Sequence, residues 1–584
     1  MKLIFIGADH EVTGSCHVIS ACGKTILIDC GMEQGVDIFE NQEIPVSPGE
    51  IDYVLLTHAH IDHSGKLPLL VKNGFKGEII TSEATKDLCD IMLRDSAHIQ
   101  EFEAEWRNRK AKRSGKEEYV PLYVMSDAED AIKLLKGVEY NKKIDLVPGI
   151  QVRFVDIGHL LGSAAIEMWI TEDGITKKIV FSGDVGNTNQ PIIKDPTPVE
   201  EADYVVVEST YGDRVHSTER PDYVADFTKI LNDTFSRGGN VVVPSFAVGR
   251  TQELLYFLRE IKNKNLVPNY PDFEVYVDSP LANGATTVFN KNIAGYFDEE
   301  AMSLINKGIN PLTFSGLKTS ITSEESIQIN NDFKPKVILS ASGMCEAGRI
   351  RHHLKHNLWR RDSTVCFVGY QAEGTLGRKI LDGATEVKIF GETIQVNCQV
   401  VALKGISGHA DKIGLLNWLQ GFKKKPEKIF VVHGENHVTD TFAELIKSEI
   451  GVDAIAPYSG GSVDLATGEV ISLGIPIPIE HKKKTYFNTD NSKLSDKDSI
   501  AEERRQHEEF LFEKKSKKGK NTKYSHKDEI KFNEGWTKAQ KRAYNRVLDE
   551  TYELLDLLKK KMQDPEADFN RYQSQLNNLI NKLK

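Results

Sequence analysis

The chain has 584 residues, 40% hydrophobic and 27% charged, which at roughly 150 residues per domain leaves room for several domains with ample core. Those proportions exclude a wholly disordered or fibrous chain, and no apolar run approaches the ~18 residues of a membrane span. Charge is uneven: residues 481–584 carry 25 Lys/Arg against 18 Asp/Glu, net +7, whereas the 480 residues before them carry 49 against 67, net −18. An acidic body argues against nucleic-acid binding through bulk charge, because phosphate neutralisation drives such binding. A polyanionic ligand would need local positive charge from metals, a few arginines or the tail.

Taken in chain order, short β-branched runs predict strands at 2–8, 24–30, 52–58 and 77–82, followed by helices over 84–112 and 127–137. Strands are predicted next at 152–158, 178–184 and 204–210, a helix at 221–236, a strand at 240–246 and a helix at 250–264. The strands 274–279, 336–342, 364–370 and 400–405 come after, then helix 411–421, strand 428–434 and helix 439–450. This alternation indicates an α/β architecture, with no internal repeat of fixed period. From about 480 the pattern changes: 481–499 is polar and aperiodic and reads as a linker, and KKSKKGKNTK (514–523) is a basic run. Two amphipathic helices are predicted beyond it, with apolar positions from Tyr544 to Met562 and from Phe569 to Leu583, broken by DPEAD. The tail reads as a solvated arm with an interaction helix pair, or as an arm contacting RNA or a protein partner; both readings stay open, as does homodimer formation.

Seven cysteines lie at 16, 22, 30, 89, 345, 366 and 398, none in a CxxC, so neither disulfide staples nor a cysteine zinc finger is expected. The opening MKLIFIGADHEVTGS turns to Gly and charge after six residues, short of a signal peptide's apolar core. A cytoplasmic protein is the expectation.

Several strands finish on an ionisable residue: Asp29, His58, Asp184, Glu208 and His433. Ligands of open α/β sheets bind beyond the carboxyl ends of strands, so five such endings point to one shared rim. His58-Ala-His60-Ile-Asp62-His63 follows its strand directly, and three imidazoles with a carboxylate in six residues cannot all face one ion from a regular helix or strand. On a tight loop they can serve two neighbouring ions. Imidazole and carboxylate without thiolate suit Zn²⁺, with Mn²⁺ or Fe²⁺ compatible by ligand type. Further candidate ligands are His159 after VRFVDIG, Asp184 after KIVFSG, whose two oxygens can bridge two ions, and His433.

HAHIDH with the later His and Asp resembles the metallo-β-lactamase fold, a four-layer αββα sandwich with its metal site at the edge of two sheets. Asp62 at its position resembles the hydrolases of that fold rather than the flavodiiron oxidoreductases, which carry Glu. Glu208 in VVVESTYGDR, SFAVGRTQELL (245–255), SASGMCEAGRIRHHL (340–354), GYQAEGTLGR (369–378), GISGHAD (405–411) and VVHGE (431–435) resemble the β-CASP nucleases, nearest the cleavage-and-polyadenylation nuclease subunits and their bacterial and archaeal homologues. The resemblance covers roughly 1–475 and implies a metallo-β-lactamase domain over 1–208 and 386–475, a β-CASP domain inserted at 209–385, and a linker, basic run and helical tail over 480–584.

It further implies two zinc ions, one on His58, His60 and His159, the other on Asp62, His63 and His433, with Asp184 bridging. Asp29 would orient a ligand from behind, and Asp62, Glu208 and His409 would be catalytic, His409 as general acid. The histidine at 433 matches RNA-processing members. The implied activity is a ribonuclease, endo- or 5′-exonucleolytic or both, acting on single-stranded RNA in the cleft between domains through a metal-activated hydroxide. SASGM (340–344) after a strand offers a phosphate backbone N–H groups and hydroxyls, with Ser342 and Gly343 as candidate contacts. Arg250, Arg349, Arg351 and Arg378 are candidates for local positive charge, with a salt-bridged surface role as the default for any one of them, and His352, His353, His356 and His437 are read as structural. Competing readings are a catalytically minor RNA-binding scaffold subunit, a DNA nuclease, and a small-metabolite hydrolase on the same site.

Overall fold

The structure is a computed structural model that describes residues 1–479, apart from 36–37, 115–116, 217–220 and 404–406, and apart from the side chains of 110, 113 and 114. The linker, basic run and helical tail expected over 480–584 lie outside the described residues. Among these residues no helix is long and apolar enough to cross a membrane.

Two sheets stack face to face. The first has eight strands in the order Glu469–Ser472, Ser462–Asp464, Lys2–Gly7, Cys16–Ala21, Lys24–Ile28, Tyr53–Leu55, Glu78–Ser82 and Leu135–Val138. The second has seven, in the order Ala454–Ile455, Lys428–Val432, Tyr204–Glu208, Ile175–Phe181, Ala164–Glu172, Ile150–Asp156 and Ile144–Val147. Alternation along each strand decides which residues meet between the sheets: Leu3, Phe5, Ile26 and Ile28 face Phe154, Met168, Phe181 and Phe430 in one buried cluster. The opposite residues of the second sheet, Val180, Val205, Val207 and Val431, pack on Leu415, Trp418, Phe442 and Ile446 of helices Lys412–Gln420 and Asn436–Glu449. Val18, Leu27, Val54 and Ile79 of the first sheet pack in the same way on Leu88 and Met92 of the long helix Glu83–Ser114. Helix, sheet, sheet, helix is the αββα order.

A third sheet, of six strands that pair in parallel, runs Leu317–Thr319, Glu274–Val277, Lys336–Ser340, Val241–Pro244, Thr364–Phe367 and Gln399–Ala402. It is buried on both faces, which is why its central strands read as continuous apolar runs. The chain stays with this sheet past the boundary expected at 385. The hairpin Glu386–Ile389 and Glu392–Gln395 puts Val387 and Ile389 onto Val242 and Ile338, and Gln399–Ala402 then pairs with Thr364–Phe367. The return to the sandwich therefore follows Ala402 rather than residue 386. The helix predicted over 127–137 also ends early: Met125–Lys133 is helical, and Leu135–Val138 leaves it to close the edge of the first sheet.

Candidate metal centre and active site

Strand direction gathers the site. Lys24–Ile28, Tyr53–Leu55 and Glu78–Ser82 are parallel neighbours in the first sheet, so Asp29 and His58 leave it at one edge. Ile175–Phe181, Tyr204–Glu208 and Lys428–Val432 are parallel neighbours in the second, which puts Asp184, Glu208 and His433 at a common edge. Ile150–Asp156 runs in the same direction, two antiparallel steps away, and delivers His159 there too. Asp29 and His433 both turn off their strands with positive φ, 60° and 50°, a conformation costly for a residue with a Cβ and often found at functional sites.

The HAHIDH segment changes conformation midway. His60, at φ −56° and ψ 147°, ends the non-helical stretch after the strand, and Ile61–Ser64 is a single helical turn, so Asp62 and His63 leave the backbone in a different conformation from His58 and His60. That turn is held by backbone bonds from Ser15 N, Cys30 N and Met32 N to the carbonyls of Asp62, His63 and Ile61. Gly31 has to be glycine here, because a Cβ on it would lie 1.7 Å from the Asp62 carbonyl oxygen.

Two donor sets result. His58 Nε2 and His159 Nε2 lie 3.1 and 3.2 Å from His60 Nδ1, and each is 3.5 Å from Asp184 Oδ2. His63 Nε2 lies 3.1 Å from His433 Nε2, these two nitrogens are 3.3 and 3.6 Å from Asp184 Oδ1, and Asp62 Oδ2 is 3.7 Å from His433 Nε2. Ligands about 2.0–2.1 Å from a tetrahedral ion are separated from one another by about 3.3 Å. Both sets have that spacing. Asp184 is buried and its Oδ1 accepts no hydrogen bond, a costly state for a carboxylate oxygen unless a cation faces it. The donor chemistry and this orphaned oxygen fit divalent metal ions.

Electrostatics agree. Burial opposes charge on Asp184, yet His433, His63 and His58 hold its carboxyl well below the usual range. Against the same burial, Asp184 and Asp29 push His63 well up, and Asp184 and Asp62 raise His433. Burial, with neighbouring imidazoles, lowers His58 and His159 well below the ordinary histidine value.

Four of the five histidines are oriented from behind. Asp29 Oδ2 is 2.7 Å from His63 Nδ1, and Asp29 accepts bonds from the Thr57 N–H and hydroxyl at 2.7 and 2.9 Å. Thr57 Oγ1 is also 3.1 Å from His58 Nδ1, Thr210 Oγ1 is 3.1 Å from His433 Nδ1, and the Gly408 carbonyl is 3.2 Å from His159 Nδ1. These contacts fix ring orientation and leave the other nitrogen for a metal. Thr57 and Thr210 are not among the sequence candidates, and their only signal is position, one residue before His58 and two after Glu208. Behind the site, His17 is buried between Phe5 and Phe181 and kept neutral, pushed down to about 3 by burial and by His63 and His433.

His409 and Glu208 form a pair at the rim. His409 Nδ1 is 3.1 Å from Glu208 Oε1, and His409 Nε2 is 3.9 Å from Asp184 Oδ2. Glu208 is anchored by the N–H groups of Val185 and Thr210 at 2.7 and 3.0 Å. Burial works against protonating His409, but the Glu208 carboxylate, through charge and hydrogen bond, outweighs it and raises the imidazole to about 9. Tyr211 meets the His409 ring edge-on at 5.9 Å.

The remaining candidates sit elsewhere. Ser342 and Gly343 are on the turn after Lys336–Ser340, outside these clusters. Ser342 Oγ accepts the Ala347 N–H at 3.4 Å, and the Gly343 carbonyl accepts Gln371 Nε2 at 3.0 Å. The arginines do not form a free positive surface. Arg250 pairs with Glu253, Arg378 with Asp382, Arg349 with Asp278, and Arg351 is buried over the Phe390 ring. His353 is buried too, 2.6 Å from Asp278 Oδ2.

Comparison with known families matches residues 11–244 to the metallo-beta-lactamase superfamily, 251–380 to the Beta-Casp domain, and 393–457 to the Zn-dependent metallo-hydrolase RNA specificity domain. The chain is 37% identical over 436 residues to "Ribonuclease TTHA0252" of Thermus thermophilus, covering 74% of this chain and 93% of that one. It is 31% identical over 458 residues to "Transcription termination factor FttA" of Methanocaldococcus jannaschii, covering 76% and 69%. A third relative, "RNase J-like protein" of the same archaeon, is 29% identical over 461 residues, covering 78% and 98%.

Proposed function

Because the chain belongs to the β-CASP branch of the metallo-β-lactamase superfamily, we propose that it is a two-zinc ribonuclease hydrolysing phosphodiester bonds of single-stranded RNA. One observation carries the reading: Asp184 divides its two oxygens between two histidine sets and has the protonated His409–Glu208 pair beside it. Divalent ions held there would lower the pKa of a water to near neutrality and stabilise charge on phosphate oxygens.

The chain's own residues supply the rest. Asp29 and Thr57 hold His63 and His58 with Nδ1 turned away, so that their Nε2 lone pairs point inward. Asp62 and Asp184 provide the negative charge that keeps cations in place. When water's oxygen bonds to phosphorus, the bond from phosphorus to the departing ribose oxygen breaks, and that oxygen needs a proton. His409 holds one on Nε2, with Glu208 stabilising the cationic ring from the Nδ1 side. RNA is favoured over DNA by the RNA specificity domain matched over 393–457, which contains both His409 and His433. Single strands fit a cleft between sandwich and insert, with Ser342 and Gly343 as phosphate contacts. Residues 481–584, with their net charge of +7, are assigned to holding RNA or a protein partner.

The test uses one single-stranded RNA labelled separately at its 5′ and 3′ ends, beside a DNA strand of the same sequence. Zinc-dependent RNA cleavage, abolished by chelator and by His60→Ala, is the expected result, and the product ladders separate endo from exo action. No RNA cleavage by the zinc-loaded protein would overturn the proposal.

A further inference from the structure

The edge of the inserted sheet beside the metal centre carries two exposed aromatic side chains. Lys336–Ser340, Val241–Pro244 and Thr364–Phe367 are parallel neighbours, so the turns that follow them, 341–344, 245–249 and 368–371, emerge side by side. Phe246 on the second turn is 49% exposed and Tyr370 on the third is 54% exposed. Their neighbours differ: Ser245, Ala247 and Val248 are buried, so the backbone turns one residue of this loop outward. Exposed aromatics on one turn edge of a parallel sheet lie where such sheets bind ligands.

The Phe246 ring is held, not loose. A Cβ built on Gly343 would lie 3.3 Å from Phe246 Cδ2 and Cε2, so the ring backs onto bare backbone that any side chain there would displace. A Cβ on Gly369 would be 3.9 Å from Cε2. The buried Gln371 ties the two glycine turns together: its Nε2 lies 3.0, 3.2 and 3.1 Å from the carbonyls of Gly343, Gly369 and Tyr370, which share its two N–H donors. The carbonyl of Phe246 is fixed by Thr251 N and Oγ1 at 3.2 and 2.7 Å. This edge reaches the metal centre: Gly249 abuts Leu160, the residue after His159, and the Tyr370 phenol is among the groups that shift Tyr211, whose ring meets His409.

We infer that Phe246 and Tyr370 are a base-stacking platform that seats unpaired nucleotides of single-stranded RNA next to the scissile phosphate. The inference rests on the ribonuclease reading and adds to it a contact that does not depend on charge: ring faces, which every base can use. It also accounts for Gly343, where the absence of a side chain leaves room for the ring.

Steady-state cleavage of a short single-stranded RNA by the zinc-loaded full chain tests it, with Phe246→Ala, Phe246→Tyr and Tyr370→Ala and with abasic sites at successive positions of the RNA. Phe246→Ala should raise KM roughly fivefold or more with kcat within about twofold, and Phe246→Tyr should restore it. One abasic position should raise the wild-type KM similarly and leave that of Phe246→Ala unchanged. Equal KM for Phe246→Ala and wild type, or an undiminished abasic effect in the variant, would overturn the platform while leaving the ribonuclease intact. Absence of RNA cleavage by the wild-type chain would overturn both.

Discussion

His63 and His433 face each other Nε2 to Nε2 at 3.1 Å although they stand 370 residues apart. Two imidazole nitrogens at that distance, both within 3.6 Å of Asp184 Oδ1, share either a proton or a metal ion. His433→Ala removes one donor from this set and none from His58, His60 and His159. By elemental analysis the variant should bind one zinc per chain against the two expected of the wild type, and it should lose at least about 100-fold in RNA cleavage. Unchanged stoichiometry would remove His433 from the ligand set.

The His409–Glu208 pair predicts a split between chemistry and metal binding. His409→Ala should lower kcat by about 10²–10⁴-fold with zinc content unchanged. Glu208→Gln removes the negative charge that raises His409. A general acid works only while protonated, so activity falls as pH rises through its pKa. Losing Glu208 lowers that pKa, and the alkaline limb of the pH–rate profile should move to lower pH in Glu208→Gln. A limb that stays in place would assign the proton to another group.

Metal uptake should release protons. His63 and His433 are raised above the ordinary histidine value by Asp184, with Asp29 and Asp62 contributing, so the metal-free site holds protons more tightly than free histidines would. Zinc must displace them, and affinity must fall as pH drops. Calorimetric titration of the metal-free protein at pH 7 in buffers of different ionisation enthalpy should show net proton release. His433→Ala should release less.

Much of this site was legible in the sequence because its residues end strands. Parallel neighbours deliver their last residues to one edge, so Asp29, His58, Asp184, Glu208 and His433 could be gathered before any geometry was known. Thr57 and Thr210 were not legible, because a threonine beside a ligand is ordinary β-strand composition until its hydroxyl is seen against an imidazole. The end of the insert was missed because Glu386–Ile389 and Glu392–Gln395 are short and half polar, and only pairing of Gln399–Ala402 with Thr364–Phe367 shows which sheet they serve. For the arginines the default salt-bridged reading holds for Arg250, Arg349 and Arg378, but the partner of Arg349 was not legible, because Asp278 is 71 residues upstream.

That partner supports a last prediction, away from the metals. Asp278 is fully buried and accepts from Arg349 Nη1 at 2.6 Å, and it is 2.6 Å from His353 Nε2, whose Nδ1 is 2.9 Å from Asn330 Oδ1. The network ties strand Glu274–Val277 to helices Ser323–Asn331 and Ile350–Asn357. Burial alone would raise the Asp278 carboxyl, but His353 and Arg349 hold it well below the usual carboxylate value. A carboxyl depressed in the folded state stabilises the fold fully above the unfolded pKa of about 3.9, and that contribution disappears as pH falls through the folded value. Asp278→Asn keeps the shape, leaves Arg349 uncompensated, and should cost about 3–5 kcal/mol in urea unfolding at pH 7. The difference between variant and wild type should narrow below about pH 4. A difference that stays constant down to pH 3 would show that the ion pair is not what Asp278 contributes.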